Sequence, residues 1–219
     1  DPAWGSICAG WDMTIAGNAD VYCDVAPMGE LIMDDDDNLH GKRLLINEQT
    51  VPFPDIPWTT VESSNDNANI PEVHPPEQWD GQIMSLTNDV HLPQGVYVFD
   101  ELEIAGQGKL TFGGPSEIYV LGNLTIDGGS AMGVSAPELT IFVRGSEVQL
   151  SGSATVLGSI VAPNASAVLS GSNDFSGGLL VGGDLTISGD HSITIDRQVA
   201  PWGDMMLPSF PGGSTVALR

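Results

Sequence analysis

One five-residue phrase recurs six times along the chain: an apolar residue, any residue, Ile or Leu, a small residue, then glycine. The copies are Met13–Gly17, Leu102–Gly106, Leu124–Gly128, Val148–Gly152, Ala167–Gly171 and Leu185–Gly189. A short strand closed by glycine and repeated at near-constant spacing is how a β-solenoid is written in sequence. The glycines of the last five copies lie 22, 24, 19 and 18 residues apart, as expected when each rung must bring the chain back above itself. Alternation within each copy points Met13/Ile15, Leu102/Ile104, Leu124/Ile126, Val148/Leu150, Ala167/Leu169 and Leu185/Ile187 inward. Stacked at the strand spacing of about 4.8 Å, they form aliphatic ladders. The expected class is all-β, a β-solenoid with a short irregular or helical excursion.

The two tightest rungs superimpose: Ser153–Ala165 matches Ser172–Asp184, each with a central glycine (Gly158, Gly177) followed by an apolar pair and a turn. The N-terminus repeats the script. Gly10–Gly17 matches Gly182–Gly189, and Gly17–Pro27 matches Gly152–Pro163 with one residue fewer. Residues 1–50 therefore read as N-terminal rungs and 92–196 as the main solenoid, together one structural domain. Residues 51–91 read as a proline-rich excursion or cap. Pro52, Pro54, Pro57, Pro71, Pro75 and Pro76 flank the polar run Glu62–Asn69, and proline cannot donate to a strand ladder. A short helix is predicted over Pro76–Leu86, with Trp79, Ile83 and Leu86 on one face, an apolar face that would cover a solenoid end. Residues 197–219 read as a C-terminal extension. Within it, Ser214–Leu218 is either a docked strand or a tail.

Composition narrows the partners. The 219 residues carry 29 acidic and 6 basic side chains, a formal charge of −23, with 27 glycines. Phosphate binding needs clustered Lys and Arg, so nucleic acid is not an expected partner, nor is an anionic membrane surface. No apolar run reaches the length of a membrane span. The chain starts at Asp1 without a visible signal peptide, read as a processed or truncated end. Cys8 and Cys23 are consistent with an oxidising compartment.

The stretch from Leu92 to Asp196 resembles the extracellular domain of PilX-like pilus-assembly proteins and related choice-of-anchor bacterial surface proteins. The resembling phrases are Pro93–Tyr97, Glu117–Ile126, Leu139–Gly145, Val148–Ala154, Gly158–Ala165 and Ser188–Asp196. The resemblance covers about half the chain. It implies a right-handed β-helix, exported, at or near a pilus or cell surface, with no catalytic residues. Members of that family usually begin with a hydrophobic helix, which this chain lacks. More distantly, the opening of the main rungs is similar to ice-binding β-solenoids. An ice face calls for flat, regular, uncharged repeats. The outward middle residues, in sequence order, are Thr14, Glu103, Thr125, Gln149, Val168 and Thr186, and Glu103 and Gln149 interrupt them.

Many β-helices degrade polysaccharides, which need two carboxylates converging on one bond. Asp174, Asp184 and Asp190 are the most suggestive acids, and all fall at turns. A lyase needs a cation and a basic residue. Only Lys42, Arg43, Lys109, Arg144, Arg197 and Arg219 are available, and the net charge repels an acidic sugar. Asp34, Asp35, Asp36 and Asp37 offer hard oxygen ligands for Ca²⁺, though adjacent acids on an extended chain point apart and a solvated acidic loop is the plainer reading. His40, His74, His91 and His191 have no ligand spacing and read as surface or turn residues. Cys8 and Cys23 would fall on neighbouring rungs three residues out of register, yet a disulfide between them is expected, since exported proteins seldom keep two nearby free thiols. Trp4, Trp11, Trp58, Trp79 and Trp202 lie mostly outside the rungs and read as caps and packing under loops. Asn123 and Asn164 head glycosylation sequons.

These readings converge on a non-catalytic structural or adhesive solenoid, extracellular or at the cell surface, without cofactor. Its partners would be other subunits of a pilus-like or surface assembly, with glycans a further candidate. A carbohydrate-binding or carbohydrate-degrading β-helix is the alternative, and an ice-binding protein a second.

Overall fold

The computed structural model describes residues 6–34, 39–43, 53–70, 79–133 and 139–194. Its 22 strands form three parallel sheets that wrap one interior. In spatial order, sheet B stacks Ile83–Leu86 (β6), Glu101–Ile104 (β9), Leu124–Ile126 (β12), Glu147–Leu150 (β15), Ser166–Gly171 (β18), Leu185–Gly189 (β21), Met13–Ala16 (β2) and Leu31–Met33 (β5). Sheet C stacks Val90–Leu92 (β7), Lys109–Phe112 (β10), Ala131–Met132 (β13), Thr155–Leu157 (β16), Asp174–Ser176 (β19), Ser192–Thr194 (β22) and Asp20–Tyr22 (β3). Sheet A stacks Val96–Phe99 (β8), Ser116–Val120 (β11), Leu139–Val143 (β14), Ser159–Ala162 (β17), Leu179–Val181 (β20), Ser6–Ala9 (β1) and Asp24–Pro27 (β4). The chain visits B, C and A in turn, which is the β-solenoid expected from the repeated phrase.

The stacking order is not the sequence order. After β22 in sheet C, the next strand in space is β1 in sheet A, followed by β2 and β3. The N-terminal rungs thus continue the spiral at its C-terminal end, in register: Ile7 beside Leu179, Met13 beside Leu185, Val21 beside Ile193. The match between Gly10–Gly17 and Gly182–Gly189 is therefore a match between neighbours.

The inward pairs predicted from alternation all lie in one buried interior cluster. At the corner from sheet B to sheet C the phrase-closing glycines form a column, in the order 106, 128, 152, 171, 189, 17. A left-handed backbone is needed there: Gly128 and Gly152 both have φ +74°, a region that costs other residues about 1–2 kcal/mol. The glycines also let the rungs meet. A Cβ on Gly152 would lie 2.6 Å from the Gly128 carbonyl oxygen.

Two residues further on, a second column runs inside the same corner and carries polar side chains: Ser130, Asn173 and His191, all buried. The Asn173 carboxamide donates to the Leu150 and Ser170 carbonyls and accepts from the Ala154 N–H. His191 Nδ1 accepts from the Asn173 N–H at 3.3 Å, so its Nε2 carries the proton and donates to the Ser188 carbonyl at 2.8 Å. His191 does sit at the turn between β21 and β22, but it is 3% exposed, which corrects the surface part of its reading.

The excursion differs from expectation in place and form. The helix predicted over Pro76–Leu86 is absent from its described part, residues 79–86. There β6 lies beside β9 with Met84 and Leu86 inward, so period 2 wins over the helical reading. The rungs accordingly begin near Ile83, not Leu92. The helix is instead Trp58–Ser63 (α1), just after Pro57. It lies on the outer face of sheet A beside β8 and Tyr119, on an apolar strip that continues through Phe142, Val161, Leu180 and Cys8 and is also packed by Phe53 and Ile56. Trp58 meets the Tyr119 ring edge-on at 5.7 Å, the Arg144 guanidinium lies over the Trp58 ring, and Arg144 pairs with Glu62 at 2.7 Å. Arg144, weighed above as a lyase base, fastens the excursion to the sheet.

The excursion also closes the first end of the solenoid. Asp66 and Asn67 bond the free edge of β8 as a strand would. The Asp66 N–H donates to the Val96 carbonyl, its carboxylate accepts from the Val96 N–H, and the Asn67 carboxamide exchanges two bonds with Val98. Trp79 packs edge-on against Phe99 at 5.5 Å, so the tryptophan expected to cover an end does so from a non-helical backbone. Residues 197–219, including Ser214–Leu218, lie outside the described residues.

Candidate functional site

Each face of the solenoid shows the outward residues of its strands, so its chemistry follows from register. Sheet A has an apolar outer strip, and α1 with its flanks lies on it. Sheet C has the narrowest strands and mixes charge with polarity: Lys109, Asp174 and Asp20 in one column, His91, Thr111 and Tyr22 in the other. Sheet B is the broad face.

Its middle column reads, from the first end, Ser85, Glu103, Thr125, Gln149, Val168, Thr186, Thr14, Ile32. The interruptions that argued against a regular face, Glu103 and Gln149, both fall in the first half. Because Thr14 follows Thr186 in space, the second half is an unbroken uncharged run of four residues. Beside it run Ser170, Ser188 and Ala16. Three strand spacings make this band about 15 Å long. Ile32 at its end is 46% exposed.

The opposite margin of sheet B is acidic, and its acids hold turns. Asp12 accepts from the Glu30 N–H at 2.8 Å, Asp184 from the Asp12 N–H at 3.2 Å, and Ser166 Oγ from the Asp184 N–H at 3.2 Å. Asn123, of the first sequon, accepts from Ser146 and Glu147 N–H in the same way, and Asn164 donates to the Arg144 carbonyl. In the column of Ser170 and Ser188, nearer the first end, Asp127 is held below its ordinary pKa by the Ser151 hydroxyl and then by the Gly128 N–H.

The three suggestive acids are thus dispersed. Asp184 caps a turn on sheet B, Asp190 accepts from the Asn18 carboxamide at 2.8 Å, and Asp174 lies on sheet C between Thr155 and Ser192. A shallow depression of about 160 Å³ does hold two acids, Glu101 and Glu103, with Ser85, Asn123 and Thr125. They are alternate residues of β9, so their side chains leave the sheet in parallel.

Asp34 accepts from the Gly17 N–H at 3.4 Å, while Asp35, Asp36 and Asp37 lie outside the described residues. Among the described residues no three His, Cys, Asp or Glu side chains are grouped to hold a metal. His40 stacks on Tyr22 and meets Asp20 at 3.0 Å, and His91 meets Thr111. Trp11 is 65% exposed at a corner. Trp4, Trp202, His74, Arg197 and Arg219 lie outside the described residues.

The expected disulfide is corrected. Cys8 and Cys23 are both free thiols. Cys8 faces outward into the strip under the excursion, whereas Cys23 belongs to the interior cluster. The wall of sheet A separates them. Burial pushes the Cys8 thiol up to about 12. Cys23 is raised further, by burial first and then by the Asp24 carboxylate.

The axial order of the rungs is the functional feature that reading along the chain missed. Its signal was present in the N-terminal alignment, which pairs Thr14 with Thr186.

Comparison with known proteins adds the following. Residues 116–201 match a family model described as a domain of unknown function, DUF7305. No curated protein matches the chain. The fold is similar to the crystal structure of an ice-binding protein from an Antarctic biological consortium, at 17% identity and a TM-score of 0.54, over 88% of this chain and 86% of that one. The DUF3494 domain of ice-binding protein 1 from Shewanella frigidimarina matches at 13% identity and a TM-score of 0.47, over 88% of this chain and 93% of that one. Among the described residues no helix is long and apolar enough to cross a membrane. The likeness to the Antarctic consortium protein is one of fold: a β-solenoid.

Proposed function

We propose that the chain is a non-catalytic recognition solenoid, displayed outside the cell in a surface or pilus-like assembly, and that it makes contact through sheet B. The observation that carries this reading is the band Val168–Thr186–Thr14–Ile32 with Ser170, Ser188 and Ala16 beside it. Among the described residues, sheet A is occupied by its own excursion and sheet C is narrow and charged, whereas this band of sheet B is uncharged and has nothing lying over it. The backbone ladder fixes the spacing of its side chains, so a matching surface meets a preorganised array. The acids singled out in the sequence lie apart, Asp184 at the margin of sheet B and Asp174 on sheet C, which supports the non-catalytic reading.

A second reading, ice binding, is favoured by the same band, since the charged and bulky interruptions lie outside it, and by the fold likeness to an ice-binding protein. One experiment separates the two. The wild type and a Thr14→Lys/Thr186→Lys variant are incubated with an ice slurry, with insoluble chitin and cellulose, and with bacterial cells. Retention of the wild type on cells or polysaccharide, lost in the variant, supports the adhesive reading. Retention on ice with inhibited recrystallisation, lost in the variant, supports the second. Equal behaviour of the two proteins, or release of soluble sugar, overturns the proposal.

A further inference from the structure

The spiral passes from β22 to β1 without a covalent link. Beyond β22 the chain runs on into residues 195–219, and the block of residues 6–43 is joined to the main solenoid only through residues 44–78. Every bond between that block and the β20–β22 end is made across this break. The Gly10 N–H donates to the Val181 carbonyl, the Leu185 N–H to the Asp12 carbonyl and the Asp20 N–H to the His191 carbonyl, each at 2.9 Å. Asn18 bonds Asp190 at the corner, and Ile7, Met13, Ile15 and Val21 are buried against the ladders below.

We propose that the β20–β22 end is a strand-acceptor site, and that residues 6–43 of a second copy of this chain occupy it in exchange for the chain's own. The inference concerns how copies join and does not depend on what sheet B contacts. An exchanged block makes the same ladders, the same buried contacts and the same corner bonds as the chain's own, because the acceptor reads only register and side-chain pattern. The two ends of the solenoid are unlike. At the first end Asp66 and Asn67 already bond the β8 edge, and Asp80 accepts from the Gln82 and Ile83 N–H groups at the start of β6. Exchange therefore has one acceptor end per copy and runs in one direction, giving closed rings or open chains. The chain between Arg43 and Phe53 spans up to about 30 Å when extended. The block can thus leave its own solenoid while α1 keeps its place on sheet A.

The docked block has an effective concentration in the millimolar range, so exchange is set during folding at high concentration. The test uses full-length chains. One carries Ala16→Cys and the other Ser188→Cys, partners in register on the outer face of sheet B. Parallel neighbours lie within the Cα separation a disulfide spans, and both sites are small and part-exposed. The two chains are unfolded, mixed, refolded together near 1 mM, and oxidised only after refolding, when Cys8 and Cys23 are buried. A control replaces the second chain with Ser85→Cys, at the far end of the sheet. The expected result is a reductant-sensitive dimer at least fivefold above the control, and absent when the two chains are folded separately and then mixed. Yields equal to the control, or no dimer at all, overturn the proposal.

Discussion

Alanine at Gly106 and at Gly152 separates two roles of the glycine column. The two positions share the corner, the left-handed backbone (φ +66° and +74°) and the place at the end of the repeated phrase. They differ in what lies beneath. A Cβ on Gly106 meets nothing within 4 Å, whereas one on Gly152 meets the Gly128 carbonyl oxygen, nitrogen and Cα at 2.6, 2.7 and 2.8 Å. Those three atoms are backbone, held in a corner with rungs above and below, so no side chain can swing aside. Gly106→Ala should cost only the conformational term, about 1–2 kcal/mol. Gly152→Ala adds overpacking of about 1–3 kcal/mol, for a total of about 2–5 kcal/mol. At about 2–4 °C per kcal/mol for a chain of this size, Gly152→Ala should melt roughly 4–20 °C below wild type and clearly below Gly106→Ala. Scanning calorimetry of the three proteins reads this directly. Equal melting temperatures for the two variants would refute the claim that the glycines are needed for close approach of the rungs as well as for their φ.

Asn173→Ala should cost about 3 kcal/mol in urea unfolding, because it leaves the Ala154 N–H and the Leu150 and Ser170 carbonyls without their buried partner; a loss under 1 kcal/mol contradicts the role given to the polar column. The two thiols make stability fall with alkali. Their folded pKa values lie above the ordinary value, so between about pH 8.5 and 12 the unfolded chain loses protons that the folded chain keeps. Unfolding free energy should drop by about 1.4 kcal/mol per pH unit for each thiol in that window and be unaffected by them below it. A Cys8→Ala/Cys23→Ala variant should lose that slope, and an identical slope in both proteins refutes the assignment. Thr14→Lys/Thr186→Lys should remove surface retention while moving stability by about 0.5 kcal/mol or less, since both residues point outward; a large stability loss would show that they pack inward.

Much of the fold was legible in the sequence because its signals are local and repeated. Period 2 aimed Leu124 and Ile126 inward, glycine marked the corners, and proline marked the excursion. What failed depended on contacts between distant segments. The helix predicted at Pro76–Leu86 rested on Trp79, Ile83 and Leu86 at helical spacing, but Met84 and Leu86 also fit a strand, and pairing with β9 decides between them. His191 and Asn173 read as exposed turn residues until the neighbouring rungs supply their bonding partners. Cys8 and Cys23 fall on neighbouring rungs but three residues out of register, and sequence spacing alone does not say on which side of a sheet wall a side chain falls. The uncharged band could not be read from six residues in sequence order, because the first of them belongs next to the last.

That reordering is the claim on which the band and the acceptor end both depend, and a pair of spin-label distances measures it. Labels at Thr14 and Val168 are two strand spacings apart in the described order, about 10 Å, and labels at Thr14 and Ser85 are six spacings apart, about 29 Å. The described rung order gives strong dipolar broadening for the first pair and a distance near 30 Å for the second. A short distance between Thr14 and Ser85, with Thr14 far from Val168, would place the N-terminal rungs beneath β6 in sequence order and contradict it.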